Sequence, residues 1–170
     1  MVGANYRGIE KLLDFARMDE SSVRAIANWR YRFPFDFYNI DPSIPLADLL
    51  QIYLDPVYQF HRIHDEEDRL VGFCSFGLDG QVPGGDYSLP ALDIGLGMHP
   101  DLTGQGQGGD FFAAILQFAT EKYEPTTVRV NVADFNIRAT RVYANAGFTP
   151  WHNFLDDRNG VPFTSLIKRL

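Results

Sequence analysis

The sequence predicts one α/β domain in which a mixed sheet carries helices on both faces. Three observations lead there. Segments with helical spacing alternate with short strand-like runs, a strand–helix–strand unit stands at residues 92–132, and 170 residues supply one good hydrophobic core rather than two. Apolar residues make up 45% of the chain and charged residues 22%, enough burial and little enough repulsion for it to fold alone.

Residues 12–18 read as a first strand, and Asp19-Glu20-Ser21-Ser22 offers N-cap chemistry for a helix running to Trp29. Prolines and aromatics crowd residues 30–45, which predicts an ordered but irregular loop, since rings that dense want a surface to cover. Leu46, Leu49, Leu50 and Tyr53 fall at i, i+3, i+4 and i+7 and predict a helix over 46–54. Two strand-like runs, 58–63 and 70–78, flank the acidic turn Asp65-Glu66-Glu67-Asp68 and form a hairpin. After a loop at 81–89, Leu92, Ile94, Leu96 and Met98 alternate with Asp93, Gly95 and Gly97, a period-two strand with one nearly bare face. A buried helix at 111–123, a strand at 127–132, a helix at 136–146 stopped by Gly147, and a hairpin of 148–155 with 162–167 complete the chain.

Composition narrows the function. A formal charge of −7 disfavours non-specific attraction to nucleic acid or to an anionic membrane and suits a cationic partner such as an amine. The single cysteine, Cys74, excludes an internal disulfide framework and a thiolate zinc site, which points to a cytoplasmic protein. His61, His64 and His152 fall outside the predicted helices, so none shares a helix face with a carboxylate at i+4 and no metal is expected. Residues 1–17 carry Glu10 and Asp14 and no long apolar run, and read as neither signal peptide nor membrane anchor.

The segment from Met98 through Thr103, Gly104, Gln105, Gly106, Gln107, Gly108 and Gly109 joins a strand to an apolar helix. Glycines let successive backbone N–H groups face one concavity, and the positive end of the helix starting near Asp110 adds to it, so a pyrophosphate can be held without basic side chains. Gly104, Gly106 and Gly109 also satisfy the G-x-G-x-x-G fingerprint of dinucleotide-binding folds, but only about two strands follow, too few for a doubly wound sheet. A merely flexible glycine loop is the plain alternative.

The run His99-Pro100-Asp101 through Gly104-x-Gly106-x-Gly108 resembles the motif before the cofactor helix of the GNAT superfamily of acyl-CoA N-acyltransferases. Asn136-Ile137-Arg138-Ala139-Thr140-Arg141-Val142-Tyr143-Ala144-Asn145-Ala146-Gly147-Phe148 resembles that family's second motif, N-x-x-A-x-x-x-Y-x-x-x-G-F, in the correct order and spacing. The likeness is specific over 92–148. It implies a mostly antiparallel sheet in which the strand ending at Met98 and the strand starting near Thr127 splay apart around the pantetheine arm of acetyl-CoA. One departure is Thr103, where the family usually has Arg or Gln.

The resemblance further implies direct attack of a primary amine, of a small molecule or peptide, on the thioester. Tyr143 takes the position of the general acid that protonates the leaving thiolate, or else is core packing. Met98, Thr103, the residues 104–109 and Asn136 fall to the cofactor, although Asn136 is also a plain helix cap. Asp93, on the glycine-lined face, is the expected base, with a structural ion pair as its alternative; His99 is a weaker titratable option. The aromatic segment holding Trp29, Tyr31, Phe35, Asp36 and Tyr38 falls where the acceptor binds, or else caps the sheet. A non-catalytic acyl-CoA-binding regulator and a nucleotide-dependent oxidoreductase are the rival functions. The oligomeric state is not readable, a dimer being one option.

Overall fold

The computed structural model describes residues 4–8 and 11–170. Its strands are β1 (Ala4–Gly8), β2 (Lys11–Arg17), β3 (His61–His64), β4 (Leu70–Phe76), β5 (Leu92–Met98), β6 (Thr127–Ala133), β7 (Thr149–Leu155) and β8 (Pro162–Arg169). The helices are α1 (Glu20–Ala27), α2 (Leu46–Tyr53), α3 (Gly108–Tyr123) and α4 (Ile137–Asn145). One sheet runs in the order β1-β2-β3-β4-β5-β6-β8-β7, and every neighbouring pair is antiparallel except β5–β6. The predicted mixed, mostly antiparallel sheet is therefore observed. The sequence expectations omit β1, whose five residues show no apolar alternation.

Local chemistry accounts for the helix ends. Asp19 caps α1 by accepting from the Ser22 amide at 2.8 Å, and Asn136 caps α4 by accepting from the Ala139 amide at 3.1 Å. Gly147, at φ +89°, ends α4 in the left-handed conformation that a side chain would resist. The start of α3 corrects the expectation: the helix begins at Gly108, so both glycines lie in its first turn rather than before it.

Phe111, Phe112, Ala114, Ile115, Phe118 and Ala119 bury one face of α3 against one side of the sheet, on Phe15, Ile63, Phe76, Ile94, Val128 and Val130. Gly72 lets β4 come close to this helix, because a Cβ there would lie 2.4 Å from the Phe111 ring. On a second cluster, α1 and α2 bury Val23, Ile26 and Leu49 with Trp29, Phe60 and the partly buried Phe73.

Where the sheet turns parallel it also opens. Only Leu92↔Val128 and Asp93↔Arg129 pair between β5 and β6, after which the two strands part for the rest of their length. The splay expected at Met98 is thus a property of this backbone. With one parallel pair in the sheet, the doubly wound architecture of a dinucleotide-binding oxidoreductase is ruled out.

Candidate active site

The splay opens into a cleft of about 1090 Å³. Gly95, Leu96, Gly97 and Met98 of β5 form one wall, Asn131 and Val132 of β6 with Asn136, Arg138, Ala139, Val142 and Tyr143 the other. Thr103, Gly104 and Gly108 close one end. The aromatic segment supplies Trp29, Tyr31, Phe35, Phe37 and Tyr38, and the turn after β4 adds Asp79 and Gly80.

At the glycine end, Gly104 and Gly106 adopt φ of +73° and +77°. Among the described residues, the amides from Gly104 to Asp110 find no acceptor; the Thr103 amide before them bonds Pro100 O and the Phe111 amide after them bonds Gln107 O. Such a run of unpaired donors at the start of a sixteen-residue helix makes a positive concavity without a basic residue in the loop. Thr103 spends its hydroxyl on Pro100 O at 2.8 Å, and the Gln105 amide group donates to Asp101 O at 2.5 Å. Gln105, Gly106, Gln107 and Gly109 lie outside the cleft wall proper. Near Thr103, the guanidinium of Arg138 stands over Gly104, with Nη1 3.0 Å from the place a Cβ would take.

Tyr143 is buried, with its ring edge-on to Phe112 at 4.9 Å. Its hydroxyl makes no hydrogen bond with a described residue, and burial raises its pKa well above that of a free phenol, so it keeps its proton. Tyr143 therefore presents a protonated phenol at the cleft wall, with no competing acceptor among the described residues.

Asp93 corrects the sequence expectation. Its carboxylate is buried and takes Arg129 Nε at 2.6 Å and Nη2 at 2.9 Å, with Gln81 Nε2 at 2.9 Å on Oδ2. Arg129 is itself buried, donates to Leu89 O at 2.9 Å and lies over the Tyr87 ring. A carboxylate so paired, buried and absent from the cleft wall is not presented to an incoming amine. His99 likewise is used structurally, accepting from the Asp101 amide at 3.2 Å with its ring edge-on to Trp29.

Two acids do line the cleft, Asp41 and Asp79, and Asp79 stands in the 3-10 turn Leu78–Gly80. The surrounding wall raises its carboxyl above the ordinary carboxylate range, while the Ser75 hydroxyl, donating at 2.5 Å, partly offsets the shift. Asn131 fixes that turn, with Nδ2 donating to Gly80 O at 2.7 Å and Oδ1 accepting from Ser165 Oγ. Gly95 makes room for it, because a Cβ there would meet Ser75 Oγ at 2.4 Å and Asp79 Oδ2 at 3.1 Å. The bare face of β5 is therefore covered by protein at Gly95, and the acid beside it comes from a neighbouring turn. Nothing in the sequence around Asp79 marks it except a short Asp-Gly turn.

Four of the five expected acceptor residues line the cleft. Tyr31 donates to Met98 O at 2.7 Å, and Asn39 grips the Tyr31 backbone from both sides. The Tyr38 hydroxyl accepts from Asn136 Nδ2 at 3.2 Å, so Asn136 serves as cap and as loop anchor at once. Trp29 is buried against Phe73 and touches the cleft from below. Asp36 is the exception: it is exposed and outside the cleft wall. Successive residues of a 3-10 turn point around its axis, so Asp36 faces solvent while Phe35 and Phe37 face Phe135.

The sequence profile of the acetyltransferase (GNAT) domain matches residues 20–149. No curated protein sequence matches with significance. Among solved structures, an uncharacterized protein from Bacillus halodurans is similar with a TM-score of 0.79 at 16% identity, over 98% of this chain and 90% of that one. A spermidine N-acetyltransferase from Vibrio cholerae in complex with CoA and spermine is similar with a TM-score of 0.72 at 15% identity, over 92% and 95%. The aminoglycoside acetyltransferase AAC(6')-Ib in complex with coenzyme A gives 0.72 at 16% identity, over 92% and 94%. These likenesses share the fold, whereas the profile covers well over half of the chain together with the glycine loop and α4, so the chain belongs to the GNAT acetyltransferase family and its enzyme class is that of the acetyl-CoA-dependent N-acetyltransferases.

Proposed function

We propose that this chain acetylates a primary amine of a cationic small molecule or a peptide, with Tyr143 as general acid and Asp79 as the acceptor of the amine proton. One observation carries the reading: a proton-holding phenol and an ionisable carboxylate share a cleft that ends in unpaired amides. Acetyl-CoA supplies the thioester. The unpaired amides of the glycine loop bind its phosphates, and the parted edges of β5 and β6 accept its amide-bearing arm. Asp79 draws the ammonium form of the acceptor in and takes one proton, which frees the nitrogen lone pair to attack the thioester carbonyl; as the C–S bond breaks, Tyr143 gives its proton to the departing sulfur and the second proton of the nitrogen returns to the phenolate.

The acidic chain, with Asp41 and Asp79 in the cleft wall, favours a cationic acceptor. Aromatic rings around these acids suit an amine with an apolar body or several methylenes. The solved relatives named for spermidine and aminoglycosides act on polycationic amines, which is consistent with this class.

The test is thiol release from acetyl-CoA in the presence of polyamines, aminoglycosides, arylalkylamines and peptide N-termini. Turnover with a cationic amine is expected. Tight CoA binding with no transfer to any of them would instead favour an acyl-CoA-binding regulator.

A further inference from the structure

Arg138 stands in the first turn of α4 between two functional segments. Its guanidinium lies over Gly104, and its Cζ sits 4.8 Å from the centroid of the Phe35 ring, in the aromatic acceptor segment. The side chain is exposed, lines the cleft, and meets no carboxylate or hydrogen-bond acceptor among the described residues. A cation held by stacking beside a run of unpaired amides leaves local charge unbalanced until an anion arrives. Two further contacts tie the same segment to the same end of α4: Tyr38 with Asn136, and Phe37 with Phe135 at 5.5 Å.

Resting on the acetyl-CoA reading above, we infer that Arg138 pairs with the diphosphate of the cofactor and that Phe35 is its positioning residue, so that cofactor binding orders the acceptor wall. The guanidinium presents a planar donor fork that Thr103 cannot, and the stacked ring fixes its direction. Holding the guanidinium against phosphate holds Phe35 beneath it, and Phe35 carries the segment 30–39. Coupling of this kind is reciprocal, so an ordered wall also favours the cofactor.

Calorimetry with CoA, dephospho-CoA and pantetheine tests the first half. Arg138→Ala is expected to weaken CoA and dephospho-CoA alike, by about 10- to 100-fold for lost charged hydrogen bonds, and to leave pantetheine unchanged. Phe35→Leu should weaken CoA by about two- to fivefold and add nothing to Arg138→Ala. Equal CoA affinity in Arg138→Ala, a loss confined to CoA over dephospho-CoA, or additive effects in the double variant would each overturn the assignment. A wild-type chain that fails to bind CoA would remove the cofactor site itself, a different result. Hydrogen exchange tests the second half: CoA should slow exchange over residues 30–39 in the wild type and not in Arg138→Ala saturated with CoA. Equal protection in both would break the link between phosphate and wall.

Discussion

Asp93 and Arg129 face each other in register across β5 and β6, and their side chains close a two-pronged ion pair on that same rung. It is the last rung before the strands part, so the pair acts as a clasp at the root of the cleft. Removing one partner leaves a buried charge without its counter-ion.

Asp93→Asn is therefore expected to lower unfolding stability by about 3–5 kcal/mol, read from urea denaturation. The folded fraction, assayed at low temperature, should keep kcat within a few-fold of wild type. A stable variant with kcat reduced a hundredfold would return Asp93 to the chemistry.

Gly108 lines the glycine-loop end of the cleft, and a Cβ there meets a Val142 methyl at 3.1 Å, tight enough that α4 must give slightly. Gly108→Ala makes the same contact without charge, so it controls for packing. Gly108→Asp should abolish measurable CoA binding by calorimetry while Gly108→Ala retains it, because only the carboxylate repels phosphate. Equal losses in the two would assign the effect to Val142.

Most of the frame was legible from local pattern. Alternation placed β5 to the residue, the i, i+3, i+4 spacing placed α2, apolar density placed α3 except for its first turn, and Asn136 with Gly147 bracketed α4. What escaped depends on contacts distant in sequence. Asp93 finds Arg129 thirty-six residues away, and no spacing rule connects them. Asp79 is an unremarkable turn residue until Asn131, fifty-one positions from Gly80, fixes its turn beside the cleft. Asp36 and Phe35 are adjacent in the chain, yet their turn sends one to solvent and the other under Arg138.

His61 makes stability depend on pH. Burial, with the nearby Lys122 cation, depresses its pKa from 6.5 to about 4. Nδ1 donates to Gln59 O at 2.6 Å, which leaves Nε2 to accept from Lys122 Nζ at 2.9 Å, so the folded state holds the neutral ring. Its contribution is complete above pH 6.5 and declines as pH falls toward 4, where the unfolded ring is already charged. Tm should fall across that window, and His61→Phe should be less stable at pH 7.5 but show a flatter profile. An unchanged slope in His61→Phe would assign the acid sensitivity to other groups.

Tyr143→Phe removes one hydroxyl and keeps the ring against Phe112 and Phe148. If that hydroxyl protonates sulfur, kcat should fall by about 10²-fold with CoA affinity unaltered. A thiol titrates near pH 8.5, so the thiolate leaves unassisted to some extent and residual turnover is expected. Wild-type kcat in the variant would mean that the phenol is packing.

Asp79 gives the sharpest test of the proton's path, because the cleft wall pushes its pKa up and the Ser75 hydroxyl that opposes the shift can be removed. As a base it must be ionised, so kcat should fall as pH drops through its raised pKa. Asp79→Asn keeps the shape and can still accept from Ser75, yet takes no proton; kcat should drop by about 10²-fold and lose that acid limb, with CoA affinity unchanged. Ser75→Ala removes the hydrogen bond that favours the charged carboxylate, so the limb should move to higher pH. If Asp79 only attracts the ammonium group, Asp79→Asn would instead raise the acceptor KM and leave kcat and its pH profile intact, and solvent would then be the proton's destination.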